Sequence, residues 1–183
     1  MAVTTAPAAT YDLGMKNRWS DLRESATSQG WALLPLRLLV GFGFVAHGYA
    51  KLGRGPAHFA EILQGLGLPA PSALAWATTL VEFIGGLALM AGASVLPLCL
   101  PLAAVMTTAM LAVHLRYGFS SIRLKAFTPT GAEFGPVGYE LNLLYLAGLF
   151  ALAVSRPTPL SIDRWWKQRH ASRPPAAQLR AQR

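Results

Sequence analysis

The run VLPLCLPLAAVMTTAMLAV, residues 95–113, carries no charged side chain. A helix needs about 20 mainly apolar residues to cross the hydrocarbon layer of a bilayer. Extended to Tyr117, this run supplies them. Three further segments have the same character: residues 31–52, 72–93 and 137–155. The last is the shortest and holds Glu140 and Asn142 in its first turns. The expected fold class is all-α integral membrane: a left-handed bundle of four transmembrane helices over residues 31–52, 72–93, 95–117 and 137–155.

Composition agrees. The 183-residue chain is 53% hydrophobic and 13% charged, against about 25% charged in a soluble globular protein, and its mean hydropathy is +0.38. A soluble enzyme and a disordered tail are excluded. The net charge is +8, with 16 Lys and Arg against 8 Asp and Glu. These basic residues lie between and beyond the apolar runs rather than along one face, so they read as topology determinants, and no nucleic-acid partner is expected. Cys99 is the single cysteine. A disulfide framework, a cysteine-rich zinc site and internal dithiol chemistry are therefore excluded.

Orientation follows from the positive-inside rule. With four spans, both termini share one side with the turn near residues 93–95. That side carries Lys16, Arg18, Arg23, Arg156, Arg164, Lys167, Arg169, Arg173, Arg180 and Arg183; the other carries Lys51, Arg54, Arg116, Arg123 and Lys125. Both termini are expected to be cytoplasmic. Residues 1–30 form a polar cytoplasmic segment and residues 156–183 a basic cytoplasmic tail. Trp31, Trp165 and Trp166 fall at the inner interface, and Tyr49, Trp76, Tyr117 and Tyr139 near the outer one. No A-x-A-like site follows the first apolar run, so no cleaved signal peptide is expected. Residues 53–71 read as a Gly/Pro-rich loop with one short helix around 58–64, and residues 120–138 as a longer loop. Leu13, Trp19 and Leu22 fit one face of an interfacial helix.

The polar residues inside the spans carry the functional reading. A charge at the centre of a membrane helix costs about 2.5–3.5 kcal/mol on the insertion scale, so such residues turn inward, find partners and mark sites. The spans contain Arg37, His47, Lys51, Glu82, His114 and Glu140. At 1.5 Å per residue, His47, His114 and Glu140 lie roughly 4–6 Å from the outer ends of their own helices, with Lys51 at the boundary. The same count puts Glu82 about 15 Å in and Arg37 about 21 Å in, close enough in depth to pair. One outward-facing polar cluster built from four helices is expected. Gly41, Gly43, Gly48, Gly85 and Gly86 let helix backbones approach around it.

Taken in order, these residues resemble the DoxX family of small bacterial and archaeal membrane proteins with four helices. The resemblance rests on Arg37, then FVAHGYAKL at residues 44–52, Gly67-Leu68-Pro69, Glu82-Phe83-Ile84-Gly85-Gly86, His114, Gly138-Tyr139-Glu140 and Ser161-Ile162-Asp163. It covers roughly residues 31–165. It implies a multi-pass protein of the inner (plasma) membrane. It also implies a membrane subunit of a quinone-linked oxidoreductase, since better-known relatives belong to a thiosulfate:quinone oxidoreductase or a similar membrane complex.

On that reading Glu82, His114 and Glu140 are the candidate catalytic residues, and Arg37, His47 and Lys51 the candidate cofactor-binding ones. Arg37 would neutralise charge developing on a quinone while Glu82 takes its proton. His47 and His114 would hydrogen-bond its carbonyls and relay protons, as neutral imidazole suits near pH 7. Lys51, with His47, would draw in a small anion such as thiosulfate. Glu140 would pair with Lys51, His47 or His114. The partners implied are membrane lipid, membrane quinone and further protein subunits. A haem b clamped by His47 and His114 uses the same residues. A metal site is not expected, because no Glu-x-x-His spacing occurs in any span. The alternative function is a non-catalytic anchor or scaffold subunit, in which the buried charges fix helix register. A small transporter fits less well, since no broken helix is foreseen.

Overall fold

The fold is that of a computed structural model, which describes the backbone over residues 10–171 and side chains over residues 30–170. The expected faces of Leu13, Trp19 and Leu22, and the basic residues before 30 and beyond 170, lie outside the described side chains. The chain runs α1 (Thr10–Arg54), α2 (Pro56–Gly65), α3 (Pro71–Ala91), α4 (Val95–Ala109), a π-helical turn (Met110–His114), a 3-10 turn (Leu115–Tyr117), β1 (Leu124–Thr128), β2 (Gly131–Phe134), α5 (Glu140–Val154) and α6 (Ile162–Ala171).

Among the described residues, three helices are long and apolar enough to cross a membrane: Gly30–Arg54, Pro71–Ala91 and Val95–Tyr117. Each is about 30 Å or longer at 1.5 Å per residue. Their outward faces are greasy; Leu39 is 69% and Leu100 74% exposed. Contiguous apolar surface of this kind belongs against lipid. The protein is a helical membrane protein.

The fourth expected span differs from its prediction. Only Glu140–Val154 of residues 137–155 is α-helical, 15 residues, or about 22 Å. Its start is fixed by Gly138 and Tyr139, whose amides donate to the Ser120 and Gly118 carbonyls across the preceding loop. Its end is fixed by Pro157 and Pro159, which cannot continue a helix.

α1 packs on α3 and α5, and α4 packs on the same two helices. Val40, Phe44, Leu89, Leu102, Leu149 and Leu152 fill the centre. Pro56 opens α2 at the helix position where its missing N–H is harmless. This is the short helix expected around residues 58–64, and its Ala60 and Leu63 cover Ala75 of α3. The expected loop at 120–138 instead contains an antiparallel hairpin, β1 with β2, turned at Pro129 and Thr130. The cue was Pro-Thr-Gly between two short runs containing β-formers.

Glycine sets how α1 meets α3. A Cβ on Gly48 would stand 2.6 Å from the Phe83 amide nitrogen; one on Gly86 would stand 2.8 Å from the Val45 nitrogen, and one on Gly41 2.6 Å from the Met90 side chain. This antiparallel register puts Glu82 level with Tyr49 and Arg37 level with Ser94.

Residues expected to begin a cytoplasmic tail fold back onto the bundle. Asp163 accepts hydrogen bonds from the Ser94 (2.8 Å) and Val95 (3.1 Å) amides at the start of α4, and its own amide donates to the Gly92 carbonyl at 3.0 Å. Gly92 ends α3 at φ +68°. That conformation favours glycine, and any Cβ there would strike Ser161 and Arg37. An Asp163→Ala substitution, which strips the carboxylate from two amides at a helix N-terminus, is expected to cost about 1–2 kcal/mol, read as a lowered unfolding midpoint in detergent.

Candidate functional site

The register divides the expected single cluster in three. At the first location Lys51 of α1 reaches Glu82 of α3, with Nζ 2.6 Å from both carboxylate oxygens. Glu82 is 5% exposed. The same ammonium sits 4.5 Å from the centre of the Phe59 ring, a cation–π contact supplied by α2. The expected Arg37–Glu82 pair is therefore corrected: Glu82 pairs with Lys51. Depths counted from each helix's own end misled, because α3 begins beyond the end of α1, under α2. Glu82 thus lies level with the C-terminal end of α1 rather than midway along it.

Above this pair lies a groove between α1 and α2, about 240 Å³, lined by His47, Ala50, Lys51, Arg54, Gly55, His58, Phe59 and Ile62. His47 is exposed, and among the described residues no hydrogen bond engages its ring. His58 approaches Glu61 at 3.3 Å. Phe59, His58 and Arg54 were not foreseen as site residues. For Phe59 and His58 the signal was the short helix itself, which covers the end of α1 with an aromatic and a histidine side by side; Arg54 is the last residue of α1.

At the second location His114 closes the π-helical turn that follows α4. Its Nδ1 lies 2.9 Å from the Val137 carbonyl. Glu140 accepts a hydrogen bond from the Ser121 amide at 3.0 Å. It does not pair with Lys51, His47 or His114 as expected, because Gly138 lets the 118–120 backbone close over the start of α5 and presents the Ser121 amide first. No hydrogen bond or ion pair joins this set to the Lys51–Glu82 pair among the described residues. The third span runs over Val95–Tyr117 as expected, its last turns being π- and 3-10-helical; π turns inside helices recur at functional sites. Nearby, Asn142 points its amide at the Met106 sulfur, 3.0 Å away.

The third location is toward the opposite end of the Gly30–Arg54 span. Arg37, 2% exposed, donates to the Thr158 hydroxyl and to the Leu160 carbonyl at 3.0 Å. Ser161 in turn donates to the Thr158 carbonyl at 2.7 Å. The buried partners of Arg37 thus come from beyond the last apolar run, where Ser161-Ile162-Asp163 was the only visible cue. Among the described residues no group of three or more His, Cys, Asp or Glu side chains is placed to hold a metal ion.

These features define a small helical membrane protein that buries a carboxylate–ammonium pair beneath a polar groove at one end and an arginine at the other. The model of the DoxX family matches residues 32–115. Residues 32–115 thus carry the DoxX match that the resemblance of the sequence implied. The matched stretch includes Arg37, His47, Lys51, Glu82 and His114, whereas Glu140, Thr158 and Asp163 lie after it. No curated protein and no solved structure matches the chain.

Proposed function

We propose that this protein is the membrane subunit of a quinone-linked oxidoreductase, held in the inner (plasma) membrane by four spans with both termini cytoplasmic. α5 is counted as the fourth span because its outward Leu144, Phe150 and Val154 are as exposed as the lipid-facing residues of the other three helices. The ten-to-five bias of basic residues supports this orientation.

The observation that carries the functional reading is the groove above Lys51–Glu82. Its donor set suits a quinone head group: Phe59 and Ile62 offer apolar wall, and the His47 and His58 rings are the hydrogen-bonding groups available to carbonyl oxygens. A quinone bound there supplies a two-electron, two-proton acceptor. The chain's own part is to bind, orient and exchange protons. Lys51 lies at the groove floor, Glu82 and Phe59 fix its position, and the exposed His47 imidazole is the group placed to exchange a proton with a bound quinone. The chain has no dinucleotide fingerprint and no cysteine pair, so electrons come from a donor or partner subunit at the outer face. A haem b between His47 and His114 has less support, because no residue from the His114 location lines the groove that holds His47.

A second reading, the non-catalytic scaffold, is favoured by one observation: Arg37, Glu82, His114 and Glu140 all have partners within the protein. Quinone turnover by the purified complex separates the two. His47→Ala is expected to lower turnover about a hundredfold, the lower end of what a lost acid–base group costs, without lowering the unfolding midpoint. Unchanged turnover in His47→Ala, with assembly lost only when Glu82 or Arg37 is changed, is the result that establishes the scaffold.

A further inference from the structure

At the end of the bundle opposite the groove, the 155–163 segment, the start of α4 and α6 enclose a second cleft of about 240 Å³. Three of its four charged lining residues, Arg37, Arg156 and Lys167, are cationic. Arg156 and Lys167 stand at its mouth, both exposed, and neither has a hydrogen-bond or ion-pair partner among the described residues. Arg37 lies within, its two terminal nitrogens committed to Thr158 and Leu160 while its Nε is buried with no partner. Asp163 is the one acidic residue in the lining, and its carboxylate is taken by the Ser94 and Val95 amides. The other walls are Val95, Leu96, Leu152 and Ala153, with the Trp166 ring at the rim. Leu96 and Trp166 are more than half exposed.

We propose that this cleft binds the phosphodiester head group of an anionic membrane lipid. The register places Arg37 level with the turn at 92–95, which is where α3 ends and α4 begins. The cleft therefore opens at the membrane boundary rather than in the hydrocarbon. Basic pockets between membrane helices at this level select anionic head groups. The apolar wall continues into the lipid-facing surface of α4, where acyl chains lie, and an interfacial tryptophan beside two cations completes the match to an amphipathic anion. A free phosphate ion would use the cations but leave the exposed apolar surface of Leu96 and Trp166 uncovered. The inference requires only that the chain sits in a membrane. It does not depend on the quinone reading.

The test uses the full chain in nanodiscs of phosphatidylcholine, with phosphatidylglycerol added in steps, and reads the unfolding midpoint and the lipid retained through re-purification. Saturable stabilisation and retention of phosphatidylglycerol are expected. The double variant Arg156→Gln/Lys167→Gln is expected to weaken that binding about a hundredfold, since each lost charged hydrogen bond to the head group costs about a factor of ten. Arg164→Gln/Arg169→Gln removes the same charge from elsewhere on α6 and is expected to leave binding unchanged. Equal loss in both double variants means diffuse surface attraction and overturns the proposal. So does full competition by inorganic phosphate, which marks a free-anion site, and so does equal retention of phosphatidylcholine.

Discussion

Glu82→Met is expected to destabilise the folded protein by about 3 kcal/mol, and Lys51→Met by a similar amount. Removing one member of a buried pair leaves the other charged and poorly solvated, a loss of about 3–5 kcal/mol. The lower end applies because the Lys51 side chain keeps 20% of its surface at the groove. The Lys51→Met/Glu82→Met double variant is expected to recover most of that loss, since two apolar side chains of similar length fill the space without either charge. Denaturant unfolding in micelles of the four proteins gives the coupling directly. A double variant as unstable as the sum of the singles would mean that the pair is not what matters at this position.

The α1–α3 contact gives the other large effect. Gly86→Val is expected to cost 3 kcal/mol or more, at or above the top of the usual range of about 1–3 kcal/mol for overpacking. Its Cβ would stand 2.7 Å from the Gly41 carbonyl oxygen and 2.8 Å from the Val45 amide nitrogen. Both are backbone atoms, and neither can yield without parting the helices. Gly48→Val meets the Phe83 backbone in the same way. Gly53→Ala is the control: nothing lies within 4 Å of its Cβ position, and replacing a helical glycine by alanine is expected to be neutral or stabilising by up to about 1 kcal/mol. Melting curves that fail to separate Gly86→Val from Gly53→Ala would show that the helices do not pack through these glycines.

What was legible in the sequence was whatever local pattern determines. An uncharged run from Val95 to Val113 needs no tertiary knowledge to be read as a membrane helix, and Pro56 before an apolar stretch marks α2. The polar positions were legible for the same reason, because a charge inside such a run has to be accounted for. Their partners were not. Pairing depends on how far one helix slides past its neighbour, and that offset is set by contacts such as Gly48 against Phe83, to which hydropathy is blind. Counting depth from helix ends assumes that all helices begin at one plane, whereas α3 begins above α1, beneath α2. The partners of Arg37 were hidden differently. Thr158 and Ser161 lie in a stretch with two prolines followed by many basic residues, which reads as a tail by composition alone, and only its return to the Gly92 turn reveals its place. The groove was missed because its aromatic wall, Phe59, lies outside the spans.

The most direct test of the quinone reading is an oxidised-minus-reduced absorption spectrum of the protein purified in mild detergent, alongside its His47→Ala variant. The account predicts a quinone difference band at close to one equivalent in the native protein and its loss in the variant, with both proteins folded. A blank spectrum from folded native protein would contradict it and leave the scaffold as the function, and a Soret band would put haem in place of quinone.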